Sequence, residues 1–361
     1  MNKINLKKIF NNKKIIVTGH TGFKGSWLTF WLENLGANIL GISNHLKTSP
    51  SLFNLINDKK KIVHKEIDIR NLNKIKKIFK KFQPDFVFHL AAQSLVKKSY
   101  KEPINTFGTN AIGTLNILES LKTIKKKCVA VLITSDKSYK NLELKRGYHE
   151  RDLLGGADPY SASKASAELI IQSYINSYFK NNNISIGVAR AGNVIGGGDW
   201  SHDRLVPDCV RSWSQNKKVL LRNPSSTRPW QHVFEAIGGY LLFASRIKTN
   251  HKLHGEAFNF GPNTSKTYSV LVLIKLMKKF WKNVSWKLIK ENKIQHYESS
   301  LLKLNCTKAN KKLKWKSILN FNETINMTAN WYKKFYSDKR NIKKYSLAQI
   351  KSYEKLMKER L

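Results

Sequence analysis

At 361 residues, with 41% hydrophobic and 11% aromatic side chains, the chain is long enough for two domains and apolar enough for a sizeable core, which excludes a disordered or fibrous protein. A formal net charge of +41 would suit a nucleic-acid partner, but the lysines run from Lys3 to Lys358 beside abundant Asn and Ile, and do not cluster with arginine and aromatics on one element. A general lysine bias is the simpler account, so neither a nucleic-acid nor a membrane partner is expected.

The cysteines, Cys128, Cys209 and Cys306, are scattered and form no CxxC pair, so neither a disulfide framework nor a metal site is expected. The first residues, MNKINLKKIFNNKKIIVTG, carry lysines without an apolar h-region, and no apolar run approaches the roughly 18 residues that span a bilayer. A reduced, cytoplasmic location follows as the expectation.

In chain order, apolar β-branched runs at Ile15–Thr18, Ile39–Ile42, Ile62–Ile67, Phe86–Leu90, Val129–Thr134 and Ile184–Ala189 alternate with stretches of helical period. This pattern predicts an α/β protein: a Rossmann-type doubly wound parallel sheet over residues 1–190. Beyond Arg190, glycine clusters, isolated prolines and short strand candidates at Lys218–Leu221 and Ala257–Phe260 predict a smaller, loop-rich substrate domain over 191–335, interleaved with the first. Leu347, Ile350, Tyr353 and Leu356, three apart, predict an amphipathic helical tail over 336–361 that docks on the body.

Directly after the first strand comes VTGHTGFKGSWL, with Gly19, Gly22 and Gly25 three apart and Thr21 and Phe23 between them. A strand turning through glycines into a helix offers backbone N–H groups to a pyrophosphate, and the first βα turn is where a doubly wound sheet holds a dinucleotide. The second strand ends on Ser43-Asn44-His45, with neither the usual acid nor an arginine, so Asn44 becomes the ribose partner and NAD is favoured over NADP. Asp68, with Ile69 beside it, ends the third strand where adenine would lie, and Leu90, Ala91, Ala92 and Gln93 end the fourth with small residues that admit a cofactor to the backbone.

The fifth strand ends on ITSDKSYK, which sets Asp136 beside Lys137 after Ser135. One helix later, Tyr160 and Lys164 in YSASK share a helical face, where an ammonium favours the phenolate that a proton-abstracting tyrosine needs. YxxxK alone is weak in a lysine-rich chain; the glycine loop and Ser135 make it specific.

These motifs resemble the extended short-chain dehydrogenase/reductase family, which includes the NAD-dependent epimerases and dehydratases. FHLAAQSLV, TSDKSY, DPYSASK, RAGNVIGGGDW, DRLVPD and RPWQHV are similar, in order, to its nucleotide-sugar 4,6-dehydratases, over about Lys13 to Trp315. The resemblance implies CDP-glucose as substrate, NAD as resident cofactor, a homo-oligomer (dimer or tetramer) and a role in deoxysugars of a surface polysaccharide such as lipopolysaccharide O-antigen. It implies that Tyr160 removes the sugar 4-hydroxyl proton, that Lys164 holds the nicotinamide ribose and lowers the tyrosine pKa, and that Ser135 bonds the same oxygen. Asp136 is implied as acid and Lys137 as base of a water elimination, treated as one coupled pair. Asn110 of TNAIGT is implied to support the cofactor side, and Gln93, Ser135, Asn193, Arg204, Leu205, Arg228 and His232 to meet the substrate. Ser300 and Leu301 stand where the family pattern carries His-Tyr, which bears on nucleotide contact. A 4,6-dehydratase acting on a different nucleotide sugar, an epimerase of the same fold and, more distantly, a non-catalytic sugar-nucleotide binder are the competing readings.

Overall fold

The computed structural model describes residues 5–44, 48–180, 182–221, 223–262, 267–281, 284–288 and 302–361. Ser300, Leu301 and His45 lie outside the described residues.

Six strands follow the sequence reading closely: β1 (Lys14–Thr18), β2 (Asn38–Ser43), β3 (Ile62–Glu66), β4 (Phe86–His89), β5 (Cys128–Ile133) and β6 (Ile184–Ala191). All pair in parallel, and a seventh strand, Ala257–Phe260, closes the order as seventh-β6-β5-β4-β1-β2-β3. The order reverses between β1 and β4, which opens a crevice at their carboxyl ends. β1, β4, β5 and β6 are buried on both faces, as a sheet covered by helices requires, whereas β3 is an edge whose last four residues are exposed.

The seventh strand, Ala257–Phe260, comes from the second half of the chain and pairs with β6. Helix Val233–Thr249, buried along most of its length, brings the chain back to the sheet. The remaining second-half strands are two- or three-residue pairings: Val194–Ile195 with Gln231–His232, Thr227–Arg228 with Tyr268–Ser269, and Val219–Leu221 with Trp286–Leu288. The glycine cluster after Arg190 is explained by packing: a Cβ on Gly197 would stand 2.0 Å from the Trp331 ring, and Trp27 Nε1 donates to the Gly197 carbonyl at 2.9 Å.

The tail forms helix Ile342–Arg360. Tyr353 is fully buried against Trp31 and Phe234, and Glu354 accepts a 2.7 Å bond from Trp31 Nε1, so the tail is fastened to the helix that follows the glycine loop. No helix among the described residues is long and apolar enough to cross a membrane.

Candidate active site

β1 runs out at Thr18 into Gly19, whose φ of +72° favours a residue without Cβ. A Cβ there would also stand 2.7 Å from the Ala91 nitrogen, and one on Gly25 would lie 2.1 Å from the Gly19 carbonyl oxygen. The two glycines therefore let strand, turn and helix Phe23–Asn34 close together against the end of β4. Gly22 caps that helix without a side chain, so its first N–H groups meet no competing side-chain oxygen at the cap. Thr21 Oγ1 and Ser43 Oγ, 2.6 Å apart, tie the loop to the end of β2. This is a cradle whose dimensions and donors fit a dinucleotide pyrophosphate.

At the adenosine end, Asn44 Nδ2 lies 3.4 Å from Asp68 Oδ2, so these two residues do meet. Arg70, which the sequence reading passed over, donates through Nε to Asp68 Oδ1 at 3.0 Å. Ile69 is buried and supports this edge from below, touching the helix that contains Gly113. His20 was also passed over: it is buried under the loop with Nε2 2.8 Å from His64 Nδ1, and desolvation lowers its pKa to about 4, so it is neutral.

After β4, Leu90, Ala91 and Ala92 are partly buried beside the glycine loop, with the Ala91 N–H bonded to Thr18 Oγ1 at 3.3 Å. Asn110, in a π-turn over Gly108–Ile112, accepts from the Gln93 N–H (2.8 Å) and donates to the Gln93 carbonyl (3.0 Å) and Ser163 Oγ (2.9 Å). It thereby joins the end of β4 to the helix carrying Tyr160. Gln93 does not reach the substrate side: its amide donates to the Leu95 carbonyl and Thr106 Oγ1 and accepts from the Leu95 N–H, which consumes it inside the loop.

Over the carboxyl edge of the sheet lies a cavity of about 490 Å³ lined by Ser135, Asp136, Lys137, Tyr160, Asn193, Arg204, Leu205 and Arg228. Ser135 begins a single 3₁₀ turn, donating to Asp136 Oδ1 at 2.8 Å and accepting from the Lys137 N–H at 3.2 Å. Burial raises the Asp136 carboxyl above its ordinary range, against Lys137, Ser135 and Lys24, which pull it down. A Cβ on Gly192 would come within 2.9 Å of Asp136 Oδ2, so the carboxyl has its place because residue 192 is glycine. Lys137 is only partly buried and also lines a second cavity of about 330 Å³, with Tyr139, Gly155 and Asp158 among others.

Tyr160 and Lys164 are both buried on helix Pro159–Tyr174, which Asp158 caps through the Ser161 N–H at 3.0 Å. Burial pushes the Tyr160 phenol up to about 12, with a hydrogen bond from Ser135 opposing and Asp136 adding to the rise. Lys164 is itself lowered to about 8 by desolvation, held up by Glu168.

Arg204 lines the same cavity, with Nη1 paired to Asp199 Oδ2 at 2.9 Å and Nη2 reaching Ser94 Oγ at 3.3 Å. His232 requires a correction. Its ring is fully buried, accepts from the Phe234 N–H through Nδ1 at 3.3 Å as the cap of helix Val233–Thr249, and takes no part in lining the cavity. Its neighbour Trp230 lines the cavity instead. Lys24 is the other residue missed: it projects from the glycine loop into the same cavity, where desolvation and Arg204 lower its ammonium to about 8 while Asp136 opposes. A basic side chain inside the phosphate loop, on the first turn of its helix, was the available signal.

A 3-2-1-4-5-6 parallel sheet with a glycine loop at its switch point, and a serine, tyrosine and lysine beyond it, defines a Rossmann-type protein of the short-chain dehydrogenase/reductase kind. The chain belongs to the GDP-mannose 4,6 dehydratase family, whose model matches residues 16–328. It is 43% identical over 336 residues to a CDP-glucose 4,6-dehydratase of Salmonella typhimurium, covering 91% of this chain and 92% of that one. A dTDP-glucose 4,6-dehydratase of Haemophilus influenzae is 26% identical over 88% of this chain and 97% of its own length. Among solved structures, an epimerase from Methanothermobacter thermautotrophicus superposes with a TM-score of 0.80 at 24% identity, covering 93% of this chain and 96% of the other. A dTDP-glucose 4,6-dehydratase from Streptomyces venezuelae, solved with NAD, superposes with a TM-score of 0.74 at 19% identity, over 89% and 97% of the two chains.

Proposed function

We propose that this chain is an enzyme, a hydro-lyase that converts CDP-glucose to CDP-4-keto-6-deoxyglucose with NAD as resident cofactor, in the cytoplasm, for deoxysugars of a surface polysaccharide. The observation that carries the reading is a single cavity lined by Ser135, Asp136, Lys137 and Tyr160 together with Arg204 and Arg228. An oxidation pair and an elimination pair on one sugar are what a 4,6-dehydratase requires. An epimerase has no use for Asp136 and Lys137.

NAD supplies the redox chemistry when bound, taking hydrogen from C4 and returning it to C6. The glycine cradle from Gly19 to Gly25 would hold its pyrophosphate, Lys164 the nicotinamide ribose, and Asn44 the adenosine ribose. Asn44, 3.4 Å from Asp68, offers a neutral partner to the adenosine ribose hydroxyls, which supports NAD. Tyr160, whose phenol would come down from about 12 beside the bound nicotinamide cation, takes the 4-hydroxyl proton as the phenolate while Ser135 bonds the same oxygen. The 4-ketone then makes the C5 proton acidic; Lys137 removes it and the protonated Asp136 gives its proton to the departing 6-hydroxyl, which leaves as water. Burial raises the Asp136 pKa, the direction that suits an acid role. Lys137 afterwards returns its proton to C5.

Arg204 and Arg228 hold the diphosphate, for which a planar guanidinium is the fitting donor. The labour divides along the chain: residues 1–190 for cofactor, 191–335 for the sugar nucleotide, and 336–361 as a buttress. Exposed Ile104 (89%), Ile112 (48%), Leu169 (57%) and Tyr178 (51%) crowd the helices around 103–121 and 159–179, which supports a dimer formed through that face. The test offers the purified protein CDP-, UDP- and dTDP-glucose and follows products by mass and NMR. A 4-keto-6-deoxy product from CDP-glucose is expected; an epimerised sugar, or no loss of water from any of the three, overturns the proposal.

A further inference from the structure

One side chain next to the reacting groups has no part in the chemistry above, yet touches every element that carries them. Glu168, one helical turn after Lys164, is fully buried, with its partner Arg190 at the end of β6 buried equally. Arg190 Nε donates to both Glu168 oxygens at 2.9 Å, and its Nη2 pairs with Oε2. Thr134 Oγ1 donates to Glu168 Oε1 at 2.7 Å, immediately before Ser135. Arg190 Nη1 continues to the Tyr139 hydroxyl at 2.7 Å, and Tyr139 donates to Asn259 Oδ1 on the seventh strand at 2.8 Å. The bonded path thus runs from the catalytic helix to the ends of β5 and β6 and on to the sheet edge.

A buried ion pair is a poor device for stability alone, because desolvation offsets its Coulomb gain. What this one accomplishes is register. β5 must peel away from the sheet at Thr134 to form the turn of Ser135, Asp136 and Lys137, and the Thr134 hydroxyl is fixed there by a carboxylate borne on the helix of Tyr160 and Lys164. The charges around Lys164 give the carboxylate a second task. Lys24 from the glycine-loop helix adds positive charge, His89 at the end of β4 is neutral, buried Tyr160 is a phenol, and Glu168 is the anion that favours the Lys164 ammonium.

We propose that Glu168 is the positioning residue of this active site: one buried carboxylate locks the Thr134–Lys137 strand end to the Tyr160–Lys164 helix and serves as counter-charge to the Lys164 ammonium. The proposal rests on Lys164 being the cation that meets the cofactor ribose. It is tested on the full chain with Glu168→Gln, with Glu168→Gln/Arg190→Met, which removes both buried charges together and so protects folding, and with Glu168→Asp. NAD affinity is measured by calorimetry as a function of pH, beside the pH profile of CDP-glucose turnover. In the wild type, affinity declines as Lys164 loses its proton. Without the Glu168 charge that decline moves about one pH unit lower, the alkaline limb of turnover moves with it, and Glu168→Asp restores both. Unchanged pH profiles in the two Gln variants, with only thermal stability reduced, overturn the proposal and leave Glu168 a structural brace. A shifted NAD profile in a protein that dehydrates no sugar supports the role of Glu168 and defeats the dehydratase reading instead.

Discussion

Glu235 makes a quantitative prediction. It sits in the first turn of helix Val233–Thr249, fully buried, with Oε1 accepting from the Ile318 and Leu319 N–H groups at 2.9 and 2.6 Å and Oε2 accepting from the Tyr353 hydroxyl at 3.0 Å. Burial raises its pKa from 4.5 to about 7, against the pull of those three bonds. The folded state therefore binds the proton more tightly than the unfolded chain. Its stabilising contribution is complete below about pH 4.5 and lost as pH climbs through about 7. A difference of about 2.5 pH units, at about 1.36 kcal/mol each, makes the ionised form about 3 kcal/mol worse. Glu235→Gln keeps an oxygen for the two N–H groups and offers an amide to Tyr353, so it removes the charge and preserves the shape. Urea unfolding of both proteins at about pH 5 and about pH 8 should show near-equality at the lower pH and an advantage to the variant approaching 3 kcal/mol at the higher. Comparison of the two proteins is essential, because buried His20, His89 and His232 have lowered pKa values and make both lose stability toward acid. A gap between wild type and variant that does not change between the two pH values would refute the assignment of Glu235 as a carboxyl protonated by burial.

Three further predictions concern the site. Lys137→Met should lower formation of the 4-keto-6-deoxy product by at least about a thousandfold while calorimetric CDP-glucose affinity stays within about threefold; turnover near wild type would show that Lys137 is not the base. Gly25→Ala, whose new methyl would lie 2.1 Å from the Gly19 carbonyl, should force the cradle open and weaken NAD binding by about a hundredfold or more, measured by calorimetry. Lys24→Met removes a cation that favours ionised Asp136, so the carboxyl should keep its proton to higher pH and the alkaline limb of turnover should rise by about half a pH unit; a limb that stays put, with only NAD affinity altered, would confine Lys24 to the cofactor.

Much of this molecule is written locally in the chain. A glycine loop between a strand and a helix, a tyrosine and lysine four apart, and a strand ending in TSDK depend on neighbours within a few residues, so the sequence exposes them. What it conceals is the outcome of long-range competition. Ala257–Phe260 reads as one more short strand, and only the free edge of β6 decides that it belongs to the main sheet. His232 in RPWQHV has the right chemistry to touch a sugar, but the helix after it needed a cap, and packing turned the ring inward. Gln93 was claimed by its own loop in the same way. Lys24 is an intermediate case: its place in the phosphate loop was legible, but its lowered pKa depends on burial and on Arg204, with Asp136 opposing, groups that the fold brings in from far along the chain.

The position of the Ala257–Phe260 strand carries a consequence for biosynthesis. β6 is buried along all eight of its residues, and its outer hydrogen-bonding edge is closed by a strand that leaves the ribosome some sixty residues later. Until that strand arrives, the nascent sheet presents the long, apolar, unpaired edge that invites pairing with another chain. A fragment ending near residue 190 would therefore be a sticky intermediate and not a free-standing cofactor-binding unit. Slow translation or premature termination between β6 and the seventh strand should show up as chaperone dependence and inclusion bodies, well before any effect on catalysis.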